Sequence, residues 1–352
     1  GLISYPLYLW HWPLLSFSRV AYGATPPATV RGALVVASVA LAWFTFALVE
    51  RPIRFGSARR VAVAGLCTVM VAILALAEYT NRTGGLFERA INVTDAAHFQ
   101  QYYDRLRRQG TAEAYRQECD FMDWPTGKLR PAIDASCTQA GSAGTWLLWG
   151  DSHAQALSSG LRAVAPQGVQ VAQVATSLCR PDVAEYESVP DGRCRRANAF
   201  AVASIRALRP GVVVLAQSGA YTAVDWEALA RQIIALGATR VVVVGPAPQW
   251  APSLPEVVAK QYWGRDFHRV SHGLAASVLE SDRQLKTRLA NSTSLTYVSL
   301  IDGLCTADGC QATVGDSKDL LTLDYGHLTP KGSVFVAETI LRPPLLGGRG
   351  AP

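Results

Sequence analysis

Charged side chains are scarce in this sequence, at 17% of the residues, whereas hydrophobic residues make up 49%. So little charge, with a mean hydropathy of +0.14, excludes a largely disordered chain. The sequence also lacks internal repeats and low-complexity tracts, which excludes a repeat array. At 352 residues the chain is long enough for two domains with a sizeable core.

Most of the chain lacks an excess of basic charge, although the formal net charge is +6. The first sixty residues contain six arginines and one glutamate, and the remaining residues contain 27 basic and 26 acidic side chains. The excess of basic charge therefore indicates the topology of the first sixty residues, and we expect no nucleic-acid partner.

Three long runs contain no Asp, Glu, Lys or Arg and occupy residues 1–18, 32–49 and 61–77. At about 1.5 Å of rise per residue each run covers roughly 26 Å, the lower limit for crossing a bilayer. We predict three transmembrane helices; the alternative for any single run is a buried core helix. The chain begins inside the first run without an initiator methionine or a basic leader, which favours an N-terminally truncated membrane protein over a signal peptide.

The arginines between these runs predict an orientation. Arg51, Arg54, Arg59 and Arg60 lie between the second and third runs, and the loop between the first two runs has arginines only at its ends. By the positive-inside rule the arginine-rich loop is cytoplasmic. The third helix then leads out of the cytoplasm, and everything after Glu78 is exported.

The cysteines give an independent indication of compartment. Cys67 lies in the third run, and the other six all follow it. No CxxC motif or histidine cluster accompanies them, so we expect no metal site and favour disulfides in an oxidising compartment. Six cysteines allow many pairings. The simplest joins nearest neighbours: Cys119 with Cys137, Cys179 with Cys194, and Cys305 with Cys310.

The exported part divides into an extension and an α/β domain. Residues 78–140 are mixed in composition and are expected to form a linker or small extension, whereas residues 141–345 alternate valine- and leucine-rich runs with helical patterns. Continuous apolar strands separated by crossover helices predict a doubly wound α/β domain with a five-stranded parallel sheet. We expect strands at 145–149, 169–175, 212–216, 240–244 and 295–301, and helices near 153–165, 197–208, 225–236, 271–290 and 331–341.

Two polar segments follow the first and last predicted strands. Ser152 follows the first strand and opens a helix, where amides and the helix dipole favour developing negative charge. Asp324 and His327 lie just before the last helix, which Thr329 and Pro330 are expected to begin. Taken alone, Ser152 is better explained as a helix cap, and His327 is explained equally well as a histidine of a surface loop. Together at one sheet edge, Ser152, His327 and Asp324 predict a nucleophile, its base and the carboxylate that orients the base.

The two residues that flank Ser152 carry weaker expectations. We expect Asp151 to cap or stiffen the turn rather than to act as the catalytic acid. We expect the His153 ring to point away from the site into the helix packing, a direct role being the alternative.

These motifs resemble two known families. Gly150-Asp151-Ser152-His153 and Asp324-Tyr325-Gly326-His327 resemble the first and last blocks of SGNH hydrolases over residues 145–342. Residues 3–13, with the sequence ISYPLYLWHWP, and Val49-Glu50-Arg51-Pro52 are similar to the closing helices of acyltransferase family 3. The combination resembles fused acyltransferase-3/SGNH proteins, which implies a flavodoxin-like α/β/α domain after residues 1–77 of the membrane part.

The sequence departs from the SGNH pattern in two blocks. Thr176-Ser177-Leu178-Cys179 follows the second strand without glycine, and Gln217-Ser218-Gly219-Ala220 follows the third without asparagine. The fused proteins resemble this chain in lacking the asparagine. We name Ser177 and Gln217 as candidate oxyanion donors, with the Ser152 amide a further choice; each could equally be ordinary turn chemistry.

The resemblance implies an O-acyltransferase, more specifically an O-acetyltransferase, that modifies a cell-envelope polysaccharide such as lipopolysaccharide. Acetyl-CoA is the implied donor to the membrane part, no cofactor is expected in the exported domain, and the acceptor is a glycan. The implied location is the bacterial inner membrane, multi-pass, with the SGNH domain in the periplasm. Tyr221 and Trp250 follow the third and fourth strands and are candidates to stack on sugar rings, the alternative being loop packing.

Two other functions stay open at this point. A membrane-tethered esterase that removes acyl groups would use the same Ser152, His327 and Asp324. A catalytically idle glycan-binding domain would need none of the three, and their joint presence argues against it.

Overall fold

The computed structural model describes residues 3–22, 25–55, 59–82, 95–184, 190–315 and 319–347. The chain forms two compact units, Gly1–His98 and Phe99–Pro352. The domain boundaries predicted at 77 and 140 stay predictions. Residues 83–94 of the predicted linker, which follow the boundary at 77, lie outside the described residues.

The first unit is helical. Its helices are α1 (Ser4–Tyr22), α2 (Ala28–Thr45), α3 (Arg51–Phe55) and α4 (Arg59–Arg82), and a π-helical turn (Phe46–Glu50) joins α2 to α3.

Two helical spans are long and apolar enough to cross a membrane, rather than the three we predicted. Within the described residues these are Ala28–Ile53 and Val63–Arg82, with mean hydropathies of 2.2 and 1.9. Helix α1 has the length of a span, but its proline, histidine, tyrosine and tryptophan residues make it less apolar than an aliphatic helix. Two apolar helices fit a membrane anchor, and the multi-pass arrangement stays a prediction.

The described residues of the second unit form ten short strands, of which five make up the central sheet. In chain order the strands are β1 (Met122–Asp123), β2 (Lys128–Leu129), β3 (Gly144–Gly150), β4 (Val169–Ala175), β5 (Val212–Ala216), β6 (Val241–Val244), β7 (Arg269–Val270), β8 (Thr296–Val298), β9 (Cys305–Thr306) and β10 (Gly309–Gln311). The central sheet has the order β4-β3-β5-β6-β8 and every pair in it is parallel, which confirms the predicted five-stranded sheet.

In the part of the chain that the structure describes, ten further helices lie from Asp95 onward. They are α5 (Asp95–Arg105), α6 (Ala112–Tyr115), α7 (Ser152–Val164), α8 (Arg193–Leu208), α9 (Trp226–Ala235), α10 (Leu254–Val257), α11 (Ala276–Leu289), α12 (Leu300–Leu304), α13 (Pro330–Val336) and α14 (Arg342–Leu345). The predicted strand 295–301 is shorter than expected, because Ser299 accepts a hydrogen bond from the Asp302 amide at 3.0 Å and starts α12.

The sheet is buried on both faces. Strand β3 has every residue from Thr145 to Gly150 buried, with Trp146 and Leu148 in one core cluster and Leu147 and Trp149 in the other. Helices α7 and α13 contribute to the first cluster, and α8, α9 and α11 to the second. This arrangement is the predicted three-layer α/β/α domain.

All three predicted disulfides are confirmed, joining Cys119 to Cys137, Cys179 to Cys194 and Cys305 to Cys310. Cys67 is an exposed free cysteine.

Residues 99–140 of the predicted extension belong to the second unit and pack onto the α/β domain. Tyr103 and Tyr115 are buried in the same core cluster as α7 and α13. The Tyr115 hydroxyl donates to the carbonyl of Leu328 at 2.6 Å, and the Tyr103 hydroxyl accepts from the Leu320 amide at 2.8 Å. The extension therefore braces both sides of the segment that carries Asp324 and His327.

Helices α7 and α13 approach so closely at Gly160 that a side chain has no room there. A Cβ on Gly160 would lie 2.1 Å from the Ser333 carbonyl oxygen, and the Gly160 amide donates to Ser333 Oγ at 2.9 Å. We expect Gly160→Ala to lower the free energy of unfolding by about 1–3 kcal/mol through overpacking. Thermal and urea unfolding followed by circular dichroism measure this loss. Gly219→Ala is the matched control, since its Cβ meets nothing within 4 Å; equal stability of both variants would contradict the prediction.

Candidate active site

The turn after β3 presents Ser152 at the start of α7. A Cβ on Gly150 would lie 1.8 Å from the Ala216 carbonyl oxygen, so only glycine permits this approach of β3 to β5. Asp151 caps the helix, as expected, by accepting from the His153 amide at 2.8 Å, and it also accepts from the Ser218 amide at 2.7 Å. Burial raises the pKa of Asp151, while the Ser218 and His153 amides oppose that shift.

The loop with Asp324 and His327 is held by the segment after β6. The Trp250 amide donates to the Tyr325 carbonyl at 2.7 Å, and the Leu254 amide donates to the Asp324 carbonyl at 3.1 Å. Thr329 caps α13 by accepting from the Gly332 amide at 2.9 Å, so the loop ends where the sequence predicted.

The structure brings Ser152, His327 and Asp324 into one hydrogen-bonded line. His327 Nε2 lies 2.8 Å from Ser152 Oγ, and His327 Nδ1 lies 2.8 Å from Asp324 Oδ2. The other carboxylate oxygen of Asp324 accepts from the amides of Gly326 and His327 at 3.0 and 2.9 Å. This geometry lets the imidazole take a proton from the hydroxyl while the carboxylate fixes its tautomer.

The charge state of Asp324 suits this arrangement. Burial disfavours the carboxylate, but the hydrogen bond and charge of His327 and the two amides outweigh burial, so the pKa of Asp324 is lowered. An ionised Asp324 stabilises the imidazolium that forms when His327 accepts a proton.

The His153 ring lies in the site, contrary to the expectation that it points away. Its centroid is 4.3 Å from that of His327, and its Nε2 lies 3.0 Å from the Tyr325 hydroxyl. Burial, and then the nearby charge of His327, lower the pKa of His153 well below 6.5. The ring that packs on His327 is therefore neutral.

Two of the three candidate oxyanion donors, Ser177 and Gln217, donate to other acceptors. The Ser177 amide and hydroxyl both donate to Asp120 Oδ2, at 3.3 and 2.8 Å. Gln217 Nε2 donates to the Gly219 carbonyl. The third candidate is the amide of Ser152, which lies at the first position of α7. The helix geometry favours this donor, because amides of the first turn have no acceptor within the helix.

The two predicted sugar-stacking rings are buried. Tyr221 and Trp250 are 2% and 1% exposed. The Tyr221 hydroxyl donates to the Val244 carbonyl at 2.9 Å, and Trp250 Nε1 donates to the Val270 carbonyl at 3.3 Å. The structure thus contradicts the stacking expectation for both rings, since these residues follow the strands but pack inward.

Tyr325 was missed by sequence reasoning. Its hydroxyl contacts His153, its ring centroid is 5.2 Å from that of His327, and 36% of the residue is exposed at the site. Burial and the charges of Asp324 and Asp151 raise the pKa of Tyr325 to about 12, so it stays protonated as a hydrogen-bond donor. Its position between Asp324 and His327 is the signal that could have identified it.

One group among the described residues has the spacing of a metal site, Glu118 with Cys119 and Cys137. The two sulfur atoms are joined in a disulfide, so they are not the thiolates that a metal requires.

Comparison with known proteins gives a family and a fold. Residues 118–342 match the model of the SGNH domain fused to AT3 domains. The periplasmic domain of the Salmonella ser. Paratyphi A lipopolysaccharide acetyltransferase is similar in structure, with a TM-score of 0.57, 21% identity, and coverage of 71% of this chain and 96% of that chain. A proposed platelet activating factor from Streptococcus pneumonia aligns with a TM-score of 0.32, 9% identity, and coverage of 70% and 97%. No curated protein matches the chain.

The buried His153 makes stability depend on pH. Its folded pKa is lowered, so below 6.5 the unfolded chain binds a proton that the folded chain does not, and stability falls as the pH drops. We expect His153→Gln to remove that loss between neutral and mildly acidic pH, measured by urea unfolding. The control is His272→Gln, at an exposed histidine; an unchanged pH slope in His153→Gln would contradict the prediction.

Proposed function

The chain belongs to the family of SGNH domains fused to AT3 domains, and on that premise we propose that Ser152 of the second unit carries an acyl group to a glycan hydroxyl. The observation that carries the proposal is the line of hydrogen bonds from Ser152 Oγ through His327 to Asp324, each 2.8 Å long. Family membership supports acyl transfer or ester hydrolysis as the reaction class.

In the first half-reaction His327 Nε2 takes the proton of Ser152 Oγ as this oxygen attacks the acyl carbonyl. Negative charge develops on the carbonyl oxygen near the N-terminus of α7, where the Ser152 amide and the helix dipole stabilise it. The imidazolium of His327, paired with ionised Asp324, then gives its proton to the leaving group. The product is an ester on Ser152.

In the second half-reaction a glycan hydroxyl replaces the leaving group. His327 takes the hydroxyl proton, the hydroxyl oxygen attacks the Ser152 ester, and the proton returns to Ser152 Oγ as the bond to the acyl group breaks. Water in place of the glycan would give hydrolysis, so transfer requires an acceptor that is oriented at the ester.

The donor and acceptor are proposed by analogy. The fusion to AT3 domains in this family supports a donor delivered by the membrane part, with acetyl-CoA as its cytoplasmic source. The similar Salmonella domain belongs to a lipopolysaccharide acetyltransferase, which supports a cell-envelope polysaccharide as acceptor and acetyl as the group transferred. Two apolar helices and three disulfides fit a membrane-anchored domain in an oxidising compartment such as the periplasm.

Replacing the nucleophile tests the first half-reaction. We expect Ser152→Ala to lower release of p-nitrophenol from p-nitrophenyl acetate by at least about 10³-fold, because the Ser152 hydroxyl forms the ester. Ser159→Ala is the matched control; this serine lies two turns along the same helix, with its hydroxyl 3.5 Å from the Pro330 carbonyl. Equal activity of Ser152→Ala and the unchanged chain would exclude Ser152 as the nucleophile.

Transfer is separated from removal inside a cell. We expect expression of the protein with its complete membrane part to add acetyl groups to the envelope polysaccharide, because the glycan competes with water for the Ser152 ester. Mass analysis of the purified polysaccharide measures the change, with the Ser152→Ala variant expressed beside it. A loss of acetyl groups would instead establish the esterase.

A further inference from the structure

A buried carboxylate beside the site takes no part in the mechanism above. Asp120 is 0% exposed and accepts hydrogen bonds from neutral donors. Its Oδ1 accepts from the Met122 amide at 2.8 Å. Its Oδ2 accepts from Gln155 Nε2 at 2.9 Å, Ser177 Oγ at 2.8 Å and Trp124 Nε1 at 3.1 Å.

These donors connect Asp120 to α7, the helix that begins with Ser152, and to the end of β4. Gln155 lies on α7 three residues after Ser152, and its Nε2 also donates to the Ala175 carbonyl at 2.8 Å. Ser177 follows β4, and the preceding Thr176 amide donates to the Gly150 carbonyl at 2.9 Å, two residues before Ser152. The network thus joins α7, the end of β4 and the extension at the carboxyl edge of the sheet.

The indole held by this network is open to solvent. Trp124 is 47% exposed, although its Nε1 is within 3.3 Å of Ser177 Oγ as well as bonded to Asp120. Trp149, Trp226 and Trp250 of the same unit are each 1% exposed. An exposed tryptophan gives up the stabilisation that burial of its ring would provide.

The segment around Trp124 is held by a hairpin, an ion pair and a disulfide. The adjacent residues form the β1–β2 hairpin, in which Arg130 pairs with Asp123 at 2.8 Å, and the disulfide of Cys119 closes the chain just before it. A fixed ring loses little conformational entropy when a ligand stacks on it.

A second exposed apolar side chain follows Ser177, whose hydroxyl lies 3.3 Å from Trp124 Nε1. Leu178 directly follows Ser177 and is 58% exposed, with a φ of 70° that non-glycine residues rarely adopt. A flat aromatic ring and an aliphatic side chain beside polar groups suit the mixed apolar and hydroxylated surface of a pyranose.

We propose that Trp124 is the platform on which the acceptor sugar stacks before it attacks the Ser152 ester, and that Asp120 is the positioning residue that fixes the indole. The proposal rests on the proposed function, since it supplies the oriented acceptor that transfer requires. It assigns the extension, rather than the loops after β5 and β6, to acceptor binding.

The test follows the fate of the ester on Ser152. The full chain in detergent turns over p-nitrophenyl acetate with methyl pyranosides of several sugars as acceptors. The measured quantity is the ratio of acetylated glycoside to free acetate, which is normalised to the ester formed. We expect Trp124→Ala to lower this ratio about tenfold, with partial recovery in Trp124→Phe because the phenyl ring keeps a stacking face.

Two further variants make the result specific. Trp263→Ala removes the other strongly exposed tryptophan of this unit, 43% exposed and packed on Phe99 at 5.3 Å, and we expect the ratio to be unchanged. Asp120→Asn keeps the shape of the side chain but weakens its hydrogen bond from the indole. We therefore expect a higher glycoside concentration at half-maximal transfer, and the same increase in Trp124→Phe. A wild-type ratio in Trp124→Ala, or a loss in Trp263→Ala alone, would overturn the proposal.

Binding of the methyl pyranosides to the Ser152→Ala chain, followed by saturation-transfer NMR, separates the two proposals. Loss of binding in Ser152→Ala/Trp124→Ala supports Trp124 as the platform, whether or not the unchanged chain is active. If the unchanged chain releases no p-nitrophenol, that failure contradicts the proposed function and leaves the platform standing. Binding that survives the loss of Trp124, or the absence of binding to every glycoside, overturns the platform.

Discussion

The hydrogen bond between Ser152 Oγ and His327 Nε2 joins residues that are 175 positions apart, and the domain is organised around keeping that contact. Ser152 is fixed by the close approach of β3 to β5 at Gly150 and by the Asp151 cap. His327 is fixed by Asp324, whose carbonyl is held in turn by the amide of Leu254. Backbone contacts therefore help to hold both Ser152 and His327 in place.

The extension before β3 is part of this support. Tyr115 braces the chain directly after His327 through the Leu328 carbonyl, and Asp120 ties the same extension to α7 and to the end of β4. The Cys119–Cys137 disulfide closes the segment between these contacts and β3. By constraining the unfolded chain, such a cross-link contributes about 3 kcal/mol for a loop of this size.

Local patterns predicted what depends on local chemistry. Continuous valine and leucine runs predicted the parallel strands, and Thr329-Pro330 predicted the start of α13, because burial on two faces and helix capping leave direct marks in the sequence. Tyr221 and Trp250 show the limit: a residue after a strand can turn inward, and only the packing decides. Asp120 could not be found either, since its donors Gln155 and Ser177 come from distant segments.

The central claim is that Ser152 carries the acyl group as a covalent ester before its transfer to the glycan. The direct measurement is mass analysis of the Ser152 peptide after an acid quench during turnover of an acetyl donor, repeated after addition of the acceptor polysaccharide. We predict an acetyl group on Ser152 that disappears on addition of the acceptor and is recovered on the glycan. Transfer to the glycan without any acetyl group on Ser152 would contradict this account.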